Sequence, residues 1–277
     1  MAIEHEQGPI DALVLAGGQL ECERFPAVDP AIGCKARIPI LGRPMVEWTV
    51  RGLRAAPAIG RIVVVGDPAL ATPSLRELGA EVVAEAGAID RNLRLGIEAL
   101  PGARRILAAS GDLPLITPEA VGDLLRHAPA ADLVMTYVER ADALREFPHR
   151  EWIFAATTSG AYTGGGVALV RPDALLANWA WVQRVLDARR RSVLGLAMLI
   201  GPAFAVKALL RRLTVAEVEH KLSSLLNLCG RGYQTRYVEL AMDVDKQTDV
   251  LLVEARLRAR MAGGADPAPS SDRPAPA

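Results

Sequence analysis

Asp11-Ala-Leu-Val-Leu-Ala-Gly-Gly18 is a short apolar run stopped by two adjacent glycines, the pattern of a buried strand running into a glycine turn. Working outward, Pro44 to Ala56 repeats its apolar residues every 3.6 positions at Met45, Val46, Thr49, Val50 and Leu53, which predicts an amphipathic helix with Pro44 in its first turn. Arg61 to Gly66 reads as a second buried strand, Leu75 to Gly79 as the end of a helix and Glu81 to Glu85 as a third strand. Asn92 to Leu100 then reads as helix, Arg105 to Ala109 as strand, Pro118 to His127 as helix and Asp132 to Val138 as strand. Strand and helix alternate throughout, which predicts an α/β fold: a Rossmann-like, mostly parallel sheet with helices on both faces.

Beyond this core, Gly164-Gly-Gly166 leads into a strand at Val167 to Val170, and residues 171–230 carry mostly helix signal. Residues 233–244 return to strand-like composition, and Thr248 to Ala262 reads as a closing helix. The expected organisation is one domain over residues 1–261 with a helical insertion at 171–230. The Ala-, Pro- and Gly-rich tail, 262–277, has nothing to bury and is expected to be disordered.

Composition narrows the function. Of the 277 residues 51% are hydrophobic, enough for a large core without staples. Lys plus Arg and Asp plus Glu are both 32, so the chain lacks the positive field of a general nucleic-acid binder. Cys22, Cys34 and Cys229 are odd in number and widely separated, which fits neither a disulfide framework nor zinc-ligand pairs. With no basic, apolar start, this points to a reducing, cytoplasmic setting. The four histidines form no spaced cluster. Val193 to Val206 is fourteen uncharged residues flanked by Arg189-Arg-Arg191 and by Lys207, Arg211 and Arg212. It is too short to span a bilayer, which needs about 20 residues. A buried helical hairpin is the leading expectation, with an interfacial element or a homodimer surface as the alternatives.

Three constellations can carry chemistry. Leu15-Ala16-Gly17-Gly18 exposes backbone N–H groups without side chains in the way, so a triphosphate can approach the main chain, although a plain tight turn reads the same way. Lys35 follows it, one of only four lysines in the chain, and a compact ammonium suits phosphate oxygens. Neither a dinucleotide G-x-G-x-x-G nor a Walker-type Gly-Lys-Ser/Thr is present. In Ser110-Gly-Asp-Leu-Pro114, Asp112 falls just past a strand's carboxyl end, where open α/β sheets bind ligands. Thr117, ahead of Pro118, is the nearer helix cap, which leaves Asp112 free to hold Mg2+. In Met242-Asp-Val-Asp-Lys-Gln-Thr-Asp249, Asp243 and Asp245 sit two apart on an extended segment and project to one side, so one or both can complete a hard oxygen site for Mg2+; Asp249 reads as a helix-start residue.

Taken together these segments resemble the MobA-like NTP transferases, in which a first strand ending LAGG is followed by a loop, a lysine and a segment similar to Ile38-Pro-Ile-Leu-Gly-Arg-Pro-Met-Val-Glu-Trp-Thr-Val50. The resemblance extends over 11–260 apart from the insertion. It implies the fold of the nucleotide-diphospho-sugar transferases, related to the GT-A glycosyltransferases. It assigns the triphosphate to Ala16, Gly17, Gly18 and Lys35, the metal to Asp112 and to Asp243 or Asp245, and, in the GAIDRNLRLG segment beside the nucleobase, base contact to Asn92 and phosphate contact to Arg91, which also reads as a solvated helix residue. Thr163, Gly164 and Gly165 fall on the acceptor side. Many members carry Ser-x-Arg soon after LAGG, whereas here Gln19-Leu-Glu-Cys-Glu-Arg24 is longer and more acidic. The implied activity is Mg2+-dependent transfer of an NMP from an NTP to a phosphorylated small-molecule acceptor. A metal-dependent glycosyltransferase and a non-catalytic nucleotide-binding protein are the alternatives, although the Asp-x-Asp usual in the former is missing at Ser110 to Pro114.

Overall fold

A computed structural model describes residues 8–191 and 201–263. Strands β1 (Ile10–Ala16), β4 (Ile59–Gly66), β5 (Ala80–Ala84) and β6 (Ile106–Ser110) are built around the short apolar runs of the sequence, and the interior strands β1, β4 and β6 are mostly buried, as expected of parallel strands covered on both faces. With β7 (Leu133–Glu139), β8 (Ala155–Thr157), β9 (Gly160–Val170) and β10 (Gly230–Thr235) they form an eight-stranded sheet in the order β10-β7-β9-β6-β1-β4-β5, with β8 paired to β9. β9 runs antiparallel to β6 and β7; the other pairs along that order are parallel. A two-stranded ribbon, β2 (Pro39–Ile40) and β3 (Arg43–Pro44), turns through Leu41 and Gly42, both at positive φ.

The strand alternation sorts the core. Ala12, Val14, Ile62, Val64, Leu107 and Ala109 face α1 (Met45–Ala55), α2 (Pro73–Glu77) and α4 (Pro118–His127). Leu13, Val63, Val65 and Ile106 face the other way, onto α3 (Ile89–Glu98), α6 (Pro172–Ala177), α7 (Trp179–Arg191) and α9 (Val215–Leu226). A third apolar cluster lies apart from these two faces. There Val138 of β7 meets Ala143 of α5 (Arg140–Glu146), with Phe147, and Met242 and Val244 meet Val250, Val253 and Leu257 of α10 (Gln247–Met261).

The α/β alternation is as expected, with helices on both faces. Three readings are corrected. The glycines at 164–166 lie inside β9, which begins at Gly160, because Gly165 lets β9 pass over Thr136 of β7: a Cβ there would sit 2.1 Å from the Thr136 hydroxyl oxygen. The strand expected over 233–244 ends at Thr235, whose hydroxyl accepts a hydrogen bond from the Tyr237 amide, and Val238–Ala241 form a buried 3-10 turn. Pro44 precedes α1 and stands at its cap, outside the first turn. The insertion is helical in its described parts, including α8 (Pro202–Leu209). Residues 193–200 of the apolar segment, and the tail from 264, lie outside the described residues. Among the described residues no helix is long and apolar enough to cross a membrane.

Candidate active site

Parallel pairing of β1 and β6, with Leu15 opposite Ser110, brings the loops that follow these strands to one end of the sheet. The Gly111 amide donates to the Leu15 carbonyl at 2.8 Å, so the two loops start side by side. Gly17 is closely approached: an added Cβ would lie 2.4 Å from the Glu85 carboxylate and 2.5 Å from the Asn92 amide, so those side chains would have to move. Gly18 adopts φ 125°, which side-chain-bearing residues rarely reach. The Gly18 carbonyl then accepts from the Lys35 amide at 3.2 Å, and Gln19 bridges to Cys34, so the long acidic loop returns Lys35 to the glycines.

The Lys35 ammonium donates to Asp112 Oδ2 at 2.6 Å and to Asp245 Oδ1 at 3.0 Å. Residues separated by 77 and 210 positions therefore meet on one cation. Ser110 donates its hydroxyl to the other oxygen of Asp112. The Val244 amide donates to the Asp112 carbonyl at 3.1 Å, which pins the acidic loop to the end of β6. Burial alone would lower the pKa of Lys35, but the charges and hydrogen bonds of Asp112 and Asp245 outweigh it and raise the pKa above the ordinary lysine value. For Asp245, burial opposes ionisation, but Lys35, with Arg150 and the neighbouring Asp243, outweighs it and holds the carboxyl below the usual range. For Asp243, burial and then the charge of Asp245 push the carboxyl upward against the pull of Arg150.

Thr117 caps α4, its hydroxyl accepting from the Ala120 amide at 3.2 Å, and Asp112 is free of that task. Asp249 caps the start of α10: its Oδ2 accepts from the amides of Asp245 and Lys246 at 3.0 and 3.1 Å. Asp243 and Asp245 do share one side, but on different partners: Arg150 Nη2 lies 2.7 Å from Asp243 Oδ1 and 4.0 Å from Asp245 Oδ2. Arg150 was not singled out in the sequence, where it is one arginine among many and carries no spacing signal.

The remaining candidates are distributed around this centre. Asn92 is buried, accepting from the Ala86 amide at 2.8 Å and lying 3.4 Å from Glu85, so its side chain shapes the wall under Gly17; Arg91, its neighbour, is exposed. Thr163 and Gly164 pair with Val138 and Tyr137, at the carboxyl end of β7 and hence at the same end of the sheet as Asp112. Gly165 follows them against Thr136. Arg24 is exposed and its side chain pairs with Glu21 at 2.7 Å, while its carbonyl accepts from the Gln247 amide.

Among the described residues no group of three or more His, Cys, Asp or Glu is arranged as a metal cage. Two hard carboxylates, Asp112 and Asp245, both within hydrogen-bonding reach of one ammonium, suit a cation that takes the rest of its oxygens from phosphate and water. Magnesium fits that description.

A family model described as the MobA-like NTP transferase domain matches residues 12–235. The chain belongs to this family. Within the MobA-like NTP transferase domain lie the glycine loop, Lys35 and Asp112, while Asp243 and Asp245 follow its end. A hypothetical transferase from Thermus thermophilus superposes with a TM-score of 0.77 at 35% identity, covering 87% of this chain and 99% of that one. The 2-C-methyl-D-erythritol 4-phosphate cytidylyltransferase of Cereibacter sphaeroides is 33% identical over 113 residues, which is 38% of this chain and 50% of that enzyme. A probable molybdenum cofactor guanylyltransferase of Pyrococcus furiosus is 28% identical over 159 residues, covering 50% of this chain and 76% of the relative. The chain thus spans half the length of the first of these two curated relatives and about three quarters of the second.

Proposed function

We propose that this protein is a Mg2+-dependent nucleotidyltransferase that moves an NMP from an NTP to a phosphorylated small-molecule acceptor and releases pyrophosphate. The observation that carries the reading is the Lys35 ammonium bonded to both Asp112 and Asp245 beside the bare Gly17-Gly18 turn. The two curated relatives, named as a cytidylyltransferase and a guanylyltransferase, support it.

An oxygen of the acceptor phosphate forms a bond to the α-phosphorus, the bond from that phosphorus to its bridging oxygen breaks, and the electron pair departs with pyrophosphate. The acceptor phosphate is already ionised near neutral pH, so no protein nucleophile is required. The chain supplies position and charge. The amides of Gly17 and Gly18 admit the triphosphate to the main chain, and Lys35, held cationic by its acidic partners, neutralises charge on the leaving side. Asp112 and Asp245 would hold Mg2+, which supplies Lewis-acid polarisation of the phosphoryl oxygens. Thr163, Gly164 and Gly165 lie at the same end of the sheet, and Gly164 offers the acceptor an open backbone, since nothing comes within 4 Å of a Cβ built there. Beside the glycine loop, Asn92 would meet the base and Arg91 the phosphates. The setting is cytoplasmic and the protein requires no nucleic-acid partner.

The test incubates the protein with Mg2+, each NTP and a pool of phosphorylated metabolites, and measures pyrophosphate. Lys35→Ala and Asp112→Asn are each expected to lower turnover by about 10²–10³-fold, the scale of losing one preorganised charge-stabilising group. Unchanged turnover in both variants would exclude this site. Release of a nucleoside diphosphate from a nucleotide sugar would instead identify a glycosyltransferase, and NTP-dependent thermal stabilisation without product a binding protein.

A further inference from the structure

The acidic loop before α10 is held by a residue from elsewhere in the chain. Arg150 lies between α5 and β8, and its side chain is only 7% exposed. Its Nη2 donates to both the backbone carbonyl and the carboxylate of Asp243, each at 2.7 Å, and its Nη1 donates to the Ala241 carbonyl at 3.2 Å. Its Nε lies 3.5 Å from Asp249, the residue that caps α10. The guanidinium carbon stands 4.2 Å from the centre of the Trp152 ring, and the Trp152 indole donates to the Phe147 carbonyl. One planar group therefore reaches three points of the Ala241–Asp249 loop and is itself clamped between that loop and an indole.

We propose that Arg150 is a positioning residue that engages Asp243 so that Asp245, its neighbour two residues on, is presented to Lys35 and Asp112 as the second metal-binding carboxylate. This rests on the nucleotidyltransferase reading above. The division follows from the partners: Arg150 makes two short hydrogen bonds to Asp243 and stands 4.0 Å from Asp245, whereas Lys35 bonds Asp245 and Asp112. A lysine in place of Arg150 would keep the charge but lose the fork that reaches two carbonyls and a carboxylate at once. The Arg150 segment also leads directly into β8 and β9, so the acceptor-side strand and the acidic loop are tied through this one guanidinium.

Outer groups that orient metal ligands typically change metal affinity 10–100-fold when altered. The experiment measures Mn2+ binding by electron paramagnetic resonance in the presence of a non-hydrolysable NTP, alongside the thermal melt of each variant. Arg150→Lys is expected to weaken Mn2+ binding at least about tenfold at temperatures well below its melt. Asp243→Asn, which keeps an acceptor oxygen for Arg150, is expected to lose less than Asp245→Asn. A purely structural role would lower the melting temperature of Arg150→Lys and leave Mn2+ affinity intact, which overturns the proposal. So does an Asp243→Asn loss equal to or larger than that of Asp245→Asn, which needs no Arg150 variant to fold. Failure of the underlying reading is distinguishable: Asp112→Asn would then bind Mn2+ and the NTP analogue as the unaltered protein does.

Discussion

Charged side chains in this protein divide into those that serve the site and those that hold the scaffold, and their partners tell them apart. Lys35 sits between carboxylates of two loops far apart in sequence, whereas Glu47 is enclosed by its own neighbourhood. Glu47, 3% exposed on α1, accepts from Arg43, from two nitrogens of Arg51 and from the Ser74 hydroxyl, at 2.8 to 2.9 Å. Burial raises its pKa, but the hydrogen bonds from Ser74, Arg51 and Arg43 together outweigh burial and leave it below the ordinary 4.5. A carboxyl depressed on folding stabilises the native state above its unfolded pKa, and that contribution fades as pH falls through the lower folded value. Glu47→Gln is therefore expected to cost about 1–2 kcal/mol at pH 7, modest because both arginines are partly exposed. Urea denaturation should show the gap to the unaltered protein constant at neutral pH and closing below about pH 4.5. A gap that widens on acidification would show that Glu47 is not depressed. Asp112 was legible in the sequence because it stands just past a strand end, and Lys35 because it is one of only four lysines and follows the glycine turn. Arg150 was not, because an arginine acting on distant carbonyls leaves no local pattern.

At the level of elements, β1, β4 and β6 were legible because burial on both faces concentrates apolar residues in them, and α4 because Thr117-Pro118 marks its start. The extent of β9 was not, because Ala161-Tyr-Thr-Gly-Gly-Gly166 has neither apolar alternation nor β-branched density. Its strand conformation comes from pairing with β7 and β8, since β6 pairs only with the Val167–Val170 end. The β2 and β3 ribbon was likewise hidden, since two residues a side carry no periodicity. The glycines of β9 differ among themselves in a way that can be measured. Gly165→Val would drive side-chain atoms into Thr136 and the Leu240 carbonyl, 3.1 Å from a built Cβ, and is expected to cost about 1–3 kcal/mol with an unchanged urea m-value. Gly164→Ala meets open space and is expected to stay within about 0.5 kcal/mol. Equal destabilisation at both positions would mean that strand glycine content, and not the close approach to β7, sets the cost.

Across the whole molecule, the sheet order converts separations in sequence into proximity. β1 and β6 are neighbours, so the glycine turn and Asp112 share one end of the sheet, and the chain returns after the helical insertion to lay Asp243 and Asp245 beside them. Motif order alone implied this convergence, but which aspartate turns toward Lys35 depended on Arg150 and was not legible from two acids spaced two apart. The central claim is that Gly17, Gly18, Lys35, Asp112 and Asp245 form one seat for an NTP and its divalent cation. The most direct measurement is a crystal structure with Mn2+ and a non-hydrolysable NTP, read by the anomalous signal of the metal. The account predicts one peak bonded to Asp112 and Asp245, at roughly 2.0–2.2 Å as for other small octahedral cations, with the triphosphate on the Gly17-Gly18 backbone. A peak on neither aspartate, or a triphosphate bound away from that turn, would contradict it.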